Sequence, residues 1–379
     1  MVSYRLGRRQ LRPKPATGHI MPKPATALFA ILMALPTSAF AQDPQLEAID
    51  QIVAPYLEST APGLGVLVMQ DGEILHIQGY GFADIDTQSP VDPDSLFDLA
   101  SVSKQMTALA VMLQIEDGLY TQDTPIADLL PVFADTDFGG RPVTVGDLVH
   151  HLGGMTDYLS GDESLDYNAG TTNAQVLDWL AEQPLDHAAG RQFDYSNSGY
   201  LTLGSLVAAA DEANSLAEVL QSRIWDELGM DSTALVTPAD ADRVVTGYAG
   251  EDGDFTISHD PTATEGDGNV FTSLRDLALY ESALSGHALL SEAATETLFS
   301  NGTYTNGEAI EDEDGAGYGF GWSIEHAGGD TYASHSGSWM GTATYYQRNL
   351  TSGVTVIVLA NGEDADVTGI AAEIEAALD

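Results

Sequence analysis

The apolar positions of this chain change their period four times. Over residues 45–57 they recur at helical spacing, as Leu46, Ile49, Ile52, Val53 and Leu57, with Pro55 placed to bend or shorten the last turn. Two runs follow, 65–70 and 74–80, joined by Asp71-Gly72. That dipeptide tolerates the positive φ of a tight hairpin turn, so the runs predict a pair of strands. After a loop containing Pro90 and Pro93, a helix is expected from about Ser101 to Asp117, closed by Gly118.

Helical signals dominate from there to about residue 300. Thr144 with Asp147 three positions on has the form of a capping box, ahead of a helix at 148–152. Further helices fit 174–181, 200–210, 216–228 before Gly229, and 274–284 after Ser273. The period then returns to two over 318–324, 331–335, 342–348 and 354–359, and a last helix fits 367–378. Strands at both ends with helices between them predict an α/β (α+β) fold. One antiparallel sheet would be built from both chain ends and flanked by helices, with a mostly helical subdomain inserted at about 119–300.

Residues 1–41 stand apart. They carry Arg5, Arg8, Arg9, Arg12, Lys14 and Lys23 and no acidic residue, then an apolar run at 25–35, then Ala39-Phe40-Ala41. A basic front, a short apolar middle and small residues at the end predict a secretory signal cut near Ala41, with Met21 as an alternative start. The run is too short for a hydrocarbon core of ~30 Å, so no stable membrane anchor is expected. The expected product is a catalytic domain over 42–379, periplasmic or secreted.

There is no cysteine, which excludes a thiol nucleophile, disulfides and a lipid-modified cysteine. The formal charge is −44; without the six leader bases, seven bases stand against 57 acids, or −50. Such a surface disfavours nucleic acid and anionic membranes as partners and suits salty water. The expected partner is a small-molecule or peptide substrate. The sequence leaves the oligomeric state open.

The helix beginning at Ser101 is apolar all round, as Met106, Ala108, Leu109, Val111, Met112, Leu113 and Ile115 show, which marks it as buried. Its first turn nevertheless holds Ser101, Ser103 and Lys104, and Lys104 is the only lysine beyond residue 41. Residues three apart share a helical face, so the two side chains can touch. Desolvation and the positive helix N-terminus both favour a neutral amine, which can take a proton from serine. The alternative is a serine that caps the helix and a lysine that reaches solvent. Tyr195-Ser196-Asn197 precedes another helix, where a phenol and an amide can relay protons and hold a carbonyl; a plain turn with a cap is the alternative. His335-Ser336-Gly337 closes a predicted strand, and a glycine there lets a substrate backbone approach a sheet edge closely; a strand end with an ordinary histidine is the alternative.

The run Phe97-Asp98-Leu99-Ala100-Ser101-Val102-Ser103-Lys104, followed in order by Tyr195 to Asn197 and His335 to Gly337, resembles the serine β-lactamase and DD-peptidase superfamily. The resemblance is to its class C branch, which also contains D-aminopeptidases and carboxylesterases. It implies that Ser101 forms an acyl-enzyme, that Lys104 and Tyr195 share the proton transfers, and that Asn197, His335 and Gly337 bind substrate. The backbone N–H groups of Ser101 and Ser338 would form the oxyanion hole, with no metal and no cofactor. His335 stands where class C β-lactamases carry a lysine, which implies a weaker grip on a substrate carboxylate. The implied activity is hydrolysis of small amides or peptides, DD-peptidase-like or D-amino-acid peptidase-like. A carboxylesterase is the alternative, and a penicillin-recognising sensor with negligible turnover is the alternative of another class. Other features read as structure: His150-His151 as packing or capping, Glu311 to Asp314 as an acidic surface loop, and Gly315, Gly317, Gly319 and Gly321 as alternating along a strand. G-x-S-x-G does not occur.

Overall fold

Asp71 and Gly72 both take positive φ, 50° and 81°, and close the hairpin between β1 (Leu64–Gln70) and β2 (Glu73–Tyr80). They belong to a computed structural model that describes residues 44–57, 61–160, 170–236, 241–250, 253–260 and 262–378. The expected export signal at 1–41 lies outside the described residues. Five more strands come from the far end of the chain: β3 (Gly317–Tyr318), β4 (Ser323–Ala327), β5 (Asp330–Trp339), β6 (Thr342–Asn349) and β7 (Val354–Ala360). They form one antiparallel sheet in the order β3-β4-β5-β6-β7-β1-β2. β1 pairs with β7 from Leu64↔Ala360 to Gln70↔Val354, so the sheet is assembled from both chain ends, as expected.

The period of two sorts each strand between two cores. Val66, Val68, Val356 and Val358 pack with Ile49 and Val53 of α1 (Pro44–Val53) and with Ile370 and Ile374 of the C-terminal helix Val367–Leu378. Leu67, Met69, Ile357 and Leu359 turn the other way, into the larger core with α2 (Lys104–Glu116), α3 (Asn197–Ala210) and α4 (Leu274–Ser285). α2 is buried on all sides, including Gln105, Thr107 and Gln114. Between β2 and β3 lie mostly helices. They include Val145–Val149, with the Thr144–Asp147 capping box, and Asn173–Leu180, with a second box from Thr172 and Gln175.

Four expectations need correction. The helix expected at 216–228 is interrupted by a π-helical turn, Gln221–Trp225, whose wider winding puts the adjacent Ile224 and Trp225 both in the core. The strand expected at 318–324 splits after Tyr318, so the four glycines do not alternate along one strand. Gly321 (φ 77°) passes so close to α2 that a Cβ there would meet the Lys104 and Gln105 backbone at 2.9 Å. His335-Ser336-Gly337 does not end a strand, because β5 runs on to Trp339 with Ser338 opposite Ala343. The helix expected at 148–152 starts earlier, directly after its cap, and ends before His150. No described helix is long and apolar enough to cross a membrane.

Candidate active site

The turn that carries Ser101 is held from both sides. Phe97–Asp98 pairs with Val270–Thr272, a strand of three residues that also binds Ala234–Leu235. The chain then turns sharply through Ala100, whose φ of 45° is left-handed and unusual for a residue with a Cβ. Asp98 Oδ1 accepts the Ala100 N–H at 2.9 Å and stabilises that turn. On the sheet side, the Thr344 and Thr342 hydroxyls donate to the carbonyls of Leu99 and Asp98, both at 2.8 Å. Gly337 makes this approach possible. A Cβ on it would sit 2.4 Å from the Leu99 carbonyl oxygen and 2.3 Å from Thr344 Oγ1. The close neighbour that this glycine admits is therefore the turn leading into Ser101, where a substrate backbone was expected.

A 3₁₀ turn, Ala100–Ser103, carries Ser101 to the head of α2, and Lys104 follows fully buried. Lys104 Nζ lies 3.1 Å from Ser101 Oγ, 2.9 Å from Asn197 Oδ1 and 2.7 Å from the Asp267 carbonyl oxygen. The nitrogen thus meets three oxygens, none of them a carboxylate's. The faces of Tyr195 and Tyr200 close the pocket, with ring centres 4.9 and 5.8 Å from Nζ.

Asn197 opens α3, and Asp157 aims it: Asp157 Oδ2 accepts the Asn197 N–H at 2.6 Å and its side-chain amide at 3.1 Å. That leaves Oδ1 facing the lysine. The preceding Ser196 caps α3 and donates its N–H to His151 Nδ1 at 3.0 Å. His151 sits under Tyr195 with ring centres 4.3 Å apart, and burial pushes its pKa well down, so it stays neutral. It therefore packs, as expected, and also fixes the Tyr195-Ser196-Asn197 segment. Tyr195 itself is 38% exposed, and its hydroxyl donates to neither Ser101 nor Lys104.

His335 is buried, which pushes its pKa down to about 3. Its Nδ1–H donates to the Ser336 carbonyl at 2.7 Å, and Nε2 accepts the Tyr318 hydroxyl at 2.9 Å. Since a carbonyl only accepts, the network assigns the neutral Nδ1–H tautomer.

Ser101, Tyr195, Asn197 and Ser338 line one cleft of about 210 Å³, with Asp267 and Trp339 also on its wall. Lys104 lies beneath it, while His335 and Gly337 pack behind. β5 extends past Ser334, its last residue paired with β4, so no described strand pairs with 335–339 on that side. A larger hollow of about 450 Å³, lined by Arg141, Asp147 and His150, contains none of these residues. Among the described residues no group of three or more His, Asp or Glu could hold a metal ion.

Sequence reasoning missed Asp157, Tyr158 and Asp267. Asp267 is buried, its Oδ2 accepts the Tyr158 hydroxyl at 2.8 Å, and desolvation raises its pKa to about 6. The only local signal is that it lies between Gly266 and Gly268.

A buried amine against a serine hydroxyl at the head of a core helix, under a seven-stranded antiparallel sheet, defines a serine hydrolase. The chain belongs to the Beta-lactamase family, whose profile matches residues 49–378. It is 28% identical over 320 residues to Penicillin-binding protein 4* of Bacillus subtilis (strain 168), covering 79% of this chain and 68% of that one. It is 28% identical over 288 residues to the D-aminopeptidase of Brucella anthropi, covering 74% of this chain and 52% of the other, about half its length. The octameric penicillin-binding protein homologue from Pyrococcus abyssi shares the fold, with a TM-score of 0.74 at 23% identity over 88% of this chain and 76% of that one.

Proposed function

We propose that this protein is an exported acyl-transfer hydrolase that cleaves small amides or peptides through a covalent Ser101 intermediate. The observation that carries the reading is the 3.1 Å contact of Lys104 Nζ with Ser101 Oγ, out of solvent and beside an open cleft. In its neutral form Lys104 keeps its two N–H groups on Asn197 and the Asp267 carbonyl and turns its lone pair to Ser101, so it takes the hydroxyl proton as Oγ bonds to the substrate carbonyl carbon. The N–H groups of Ser101 and Ser338 receive the oxyanion, each worth roughly 10²- to 10³-fold in rate. As the tetrahedral intermediate collapses, the bond to the leaving group breaks, and that group takes the proton back from Lys104, relayed by Tyr195. Water then attacks the ester by the same route in reverse. Export rests on the basic, then apolar, leader at 1–41.

Within this class we favour a DD-peptidase-like or D-amino-acid peptidase-like activity of the class C branch. This accords with the relatives named penicillin-binding protein and D-aminopeptidase. A carboxylesterase is the second reading, favoured by the neutral, fully engaged His335, which offers no charge to a substrate carboxylate. The test offers p-nitrophenyl esters, D-Ala-D-Ala peptides and a fluorescent penicillin to the protein and to Ser101→Ala. Released D-alanine supports the peptidase, and turnover of esters alone supports the esterase. A stable penicillin adduct with no turnover of anything would replace both with a sensor.

A further inference from the structure

No lysine, arginine or histidine lines the cleft among the described residues. Lys104 beneath it has its nitrogen engaged by Ser101, Asn197 and the Asp267 carbonyl, and His335 behind it is neutral with both ring nitrogens bonded. Nothing there matches a substrate carboxylate.

The acidic side is different. Asp98, Asp260 and Asp267 all line the cleft. Asp260 is well supplied, since Oδ2 accepts the Trp339 indole N–H at 2.9 Å and Oδ1 accepts both the N–H and the hydroxyl of Thr262 at 2.8 Å. Asp267 is not. Its side chain is 6% exposed, Tyr158 satisfies one oxygen, and Oδ1 is buried with no hydrogen-bond partner. Desolvation raises Asp267 to about 6 and Asp98 to about 7, the latter with a contribution from the Asp260 charge. The Lys104 charge draws the Asp267 carboxyl down without offsetting its burial, and a second cation entering the cleft beside the unpartnered Oδ1 favours the ionised form. Asp267 also stands next to the chemistry: its own carbonyl holds the amine that touches Ser101.

We propose that the cleft selects acyl donors carrying a free ammonium near the scissile carbonyl, and that Asp267 is the side chain that recognises it. The substrates are then amides, esters or N-terminal residues of unblocked amino acids rather than acylated or carboxylate-terminated ones. This inference rests on the acyl-enzyme reading above and narrows its substrate.

The test compares alanine p-nitroanilide with N-acetyl-alanine p-nitroanilide, each as D and L, on the whole protein and on Asp267→Asn. The wild type should prefer the free amine in kcat/KM by about 10- to 100-fold, the range of a hydrogen bond to a charged group. In Asp267→Asn that ratio should fall to within about 3-fold of one, mainly through KM, since the backbone carbonyl that holds Lys104 is retained. A wild-type ratio at or below one, or an unchanged ratio in the variant, overturns the inference. An arm without a variant uses hydrolysis of p-nitrophenyl acetate, which has no amine. Alaninol should inhibit it competitively and N-acetyl-alaninol should not, and equal inhibition or none overturns the inference. If p-nitrophenyl acetate acylates Ser101 and a fluorophosphonate phosphonylates it, without any ammonium preference, only this inference falls. If neither modifies Ser101, the acyl-enzyme reading falls with it.

Discussion

Lys104 Nζ donates to the main-chain carbonyl of Asp267 at 2.7 Å, although 163 residues separate them along the chain. The same nitrogen reaches Asn197 from the head of α3 and Ser101 on its own turn. Three segments remote in sequence therefore aim one amine at one hydroxyl.

Lys104→Met keeps most of the buried volume and removes the amine. Turnover of p-nitrophenyl esters should fall by about 10²- to 10⁴-fold, the worth of a positioned acid–base group. Ser101→Ala should abolish acylation, seen by mass spectrometry. Near-full rate in Lys104→Met would show that the base lies elsewhere.

Gly337→Ala tests the clamp on the nucleophile turn. Its new methyl meets the Leu99 carbonyl and the Thr344 hydroxyl inside van der Waals contact, and both are fixed by the hydrogen bond between them. Overpacking of this kind costs about 1–3 kcal/mol. Urea unfolding should show that loss, and kcat should drop as Ser101 is displaced. An unchanged kcat would mean that β5 yields without moving the turn.

Arg348→Met tests a tie between α4 and β6 that touches no substrate. Glu281 is almost fully buried and accepts from Arg348 Nε at 3.1 Å and from the Tyr346 hydroxyl at 2.6 Å. Removing the guanidinium leaves a buried carboxylate without its charge partner and should cost about 3–5 kcal/mol. The folded fraction should keep its kcat/KM. A loss below about 1 kcal/mol, the range of surface ion pairs, would contradict the assignment.

Asp267 gives a pH signature of definite sign. Its carboxyl titrates at about 6 in the folded protein against 3.8 for the unperturbed group. Between those values the folded state holds the extra proton, so this residue's contribution to stability falls as pH rises. Asparagine has no proton to lose, and the remaining titrating groups are shared. The stability of Asp267→Asn relative to wild type should therefore rise from pH 4 to above pH 6, as followed by urea midpoints. A difference that falls over that window would mean Asp267 is ionised and favourably paired.

What could be read along the chain was local. Asp71-Gly72 declared the hairpin, Thr144 its capping box, and the run 367–378 its helix, because turn, cap and period each act within a few residues. The Ser101–Lys104 contact was legible for the same reason: the two are one turn apart, and no other lysine follows residue 41. What escaped depends on contacts across the fold. The strands Phe97–Asp98 and Val270–Thr272 are too short to show a period and exist through pairing with each other. The break after Tyr318 reflects the approach of Gly321 to α2. Asp157 and Asp267 take their roles from Asn197 and Tyr158, which no spacing rule could join to them.

β1 lies between β2 and β7, so the hairpin just ahead of the reactive serine finds its inner neighbour only at Val354–Ala360. Thr342, Thr344 and Ser338 arrive with the same late stretch. A nascent polypeptide that has already displayed Ser101 and Lys104 therefore still lacks the inner neighbour of β1 and the two hydroxyls that hold the Ser101 turn.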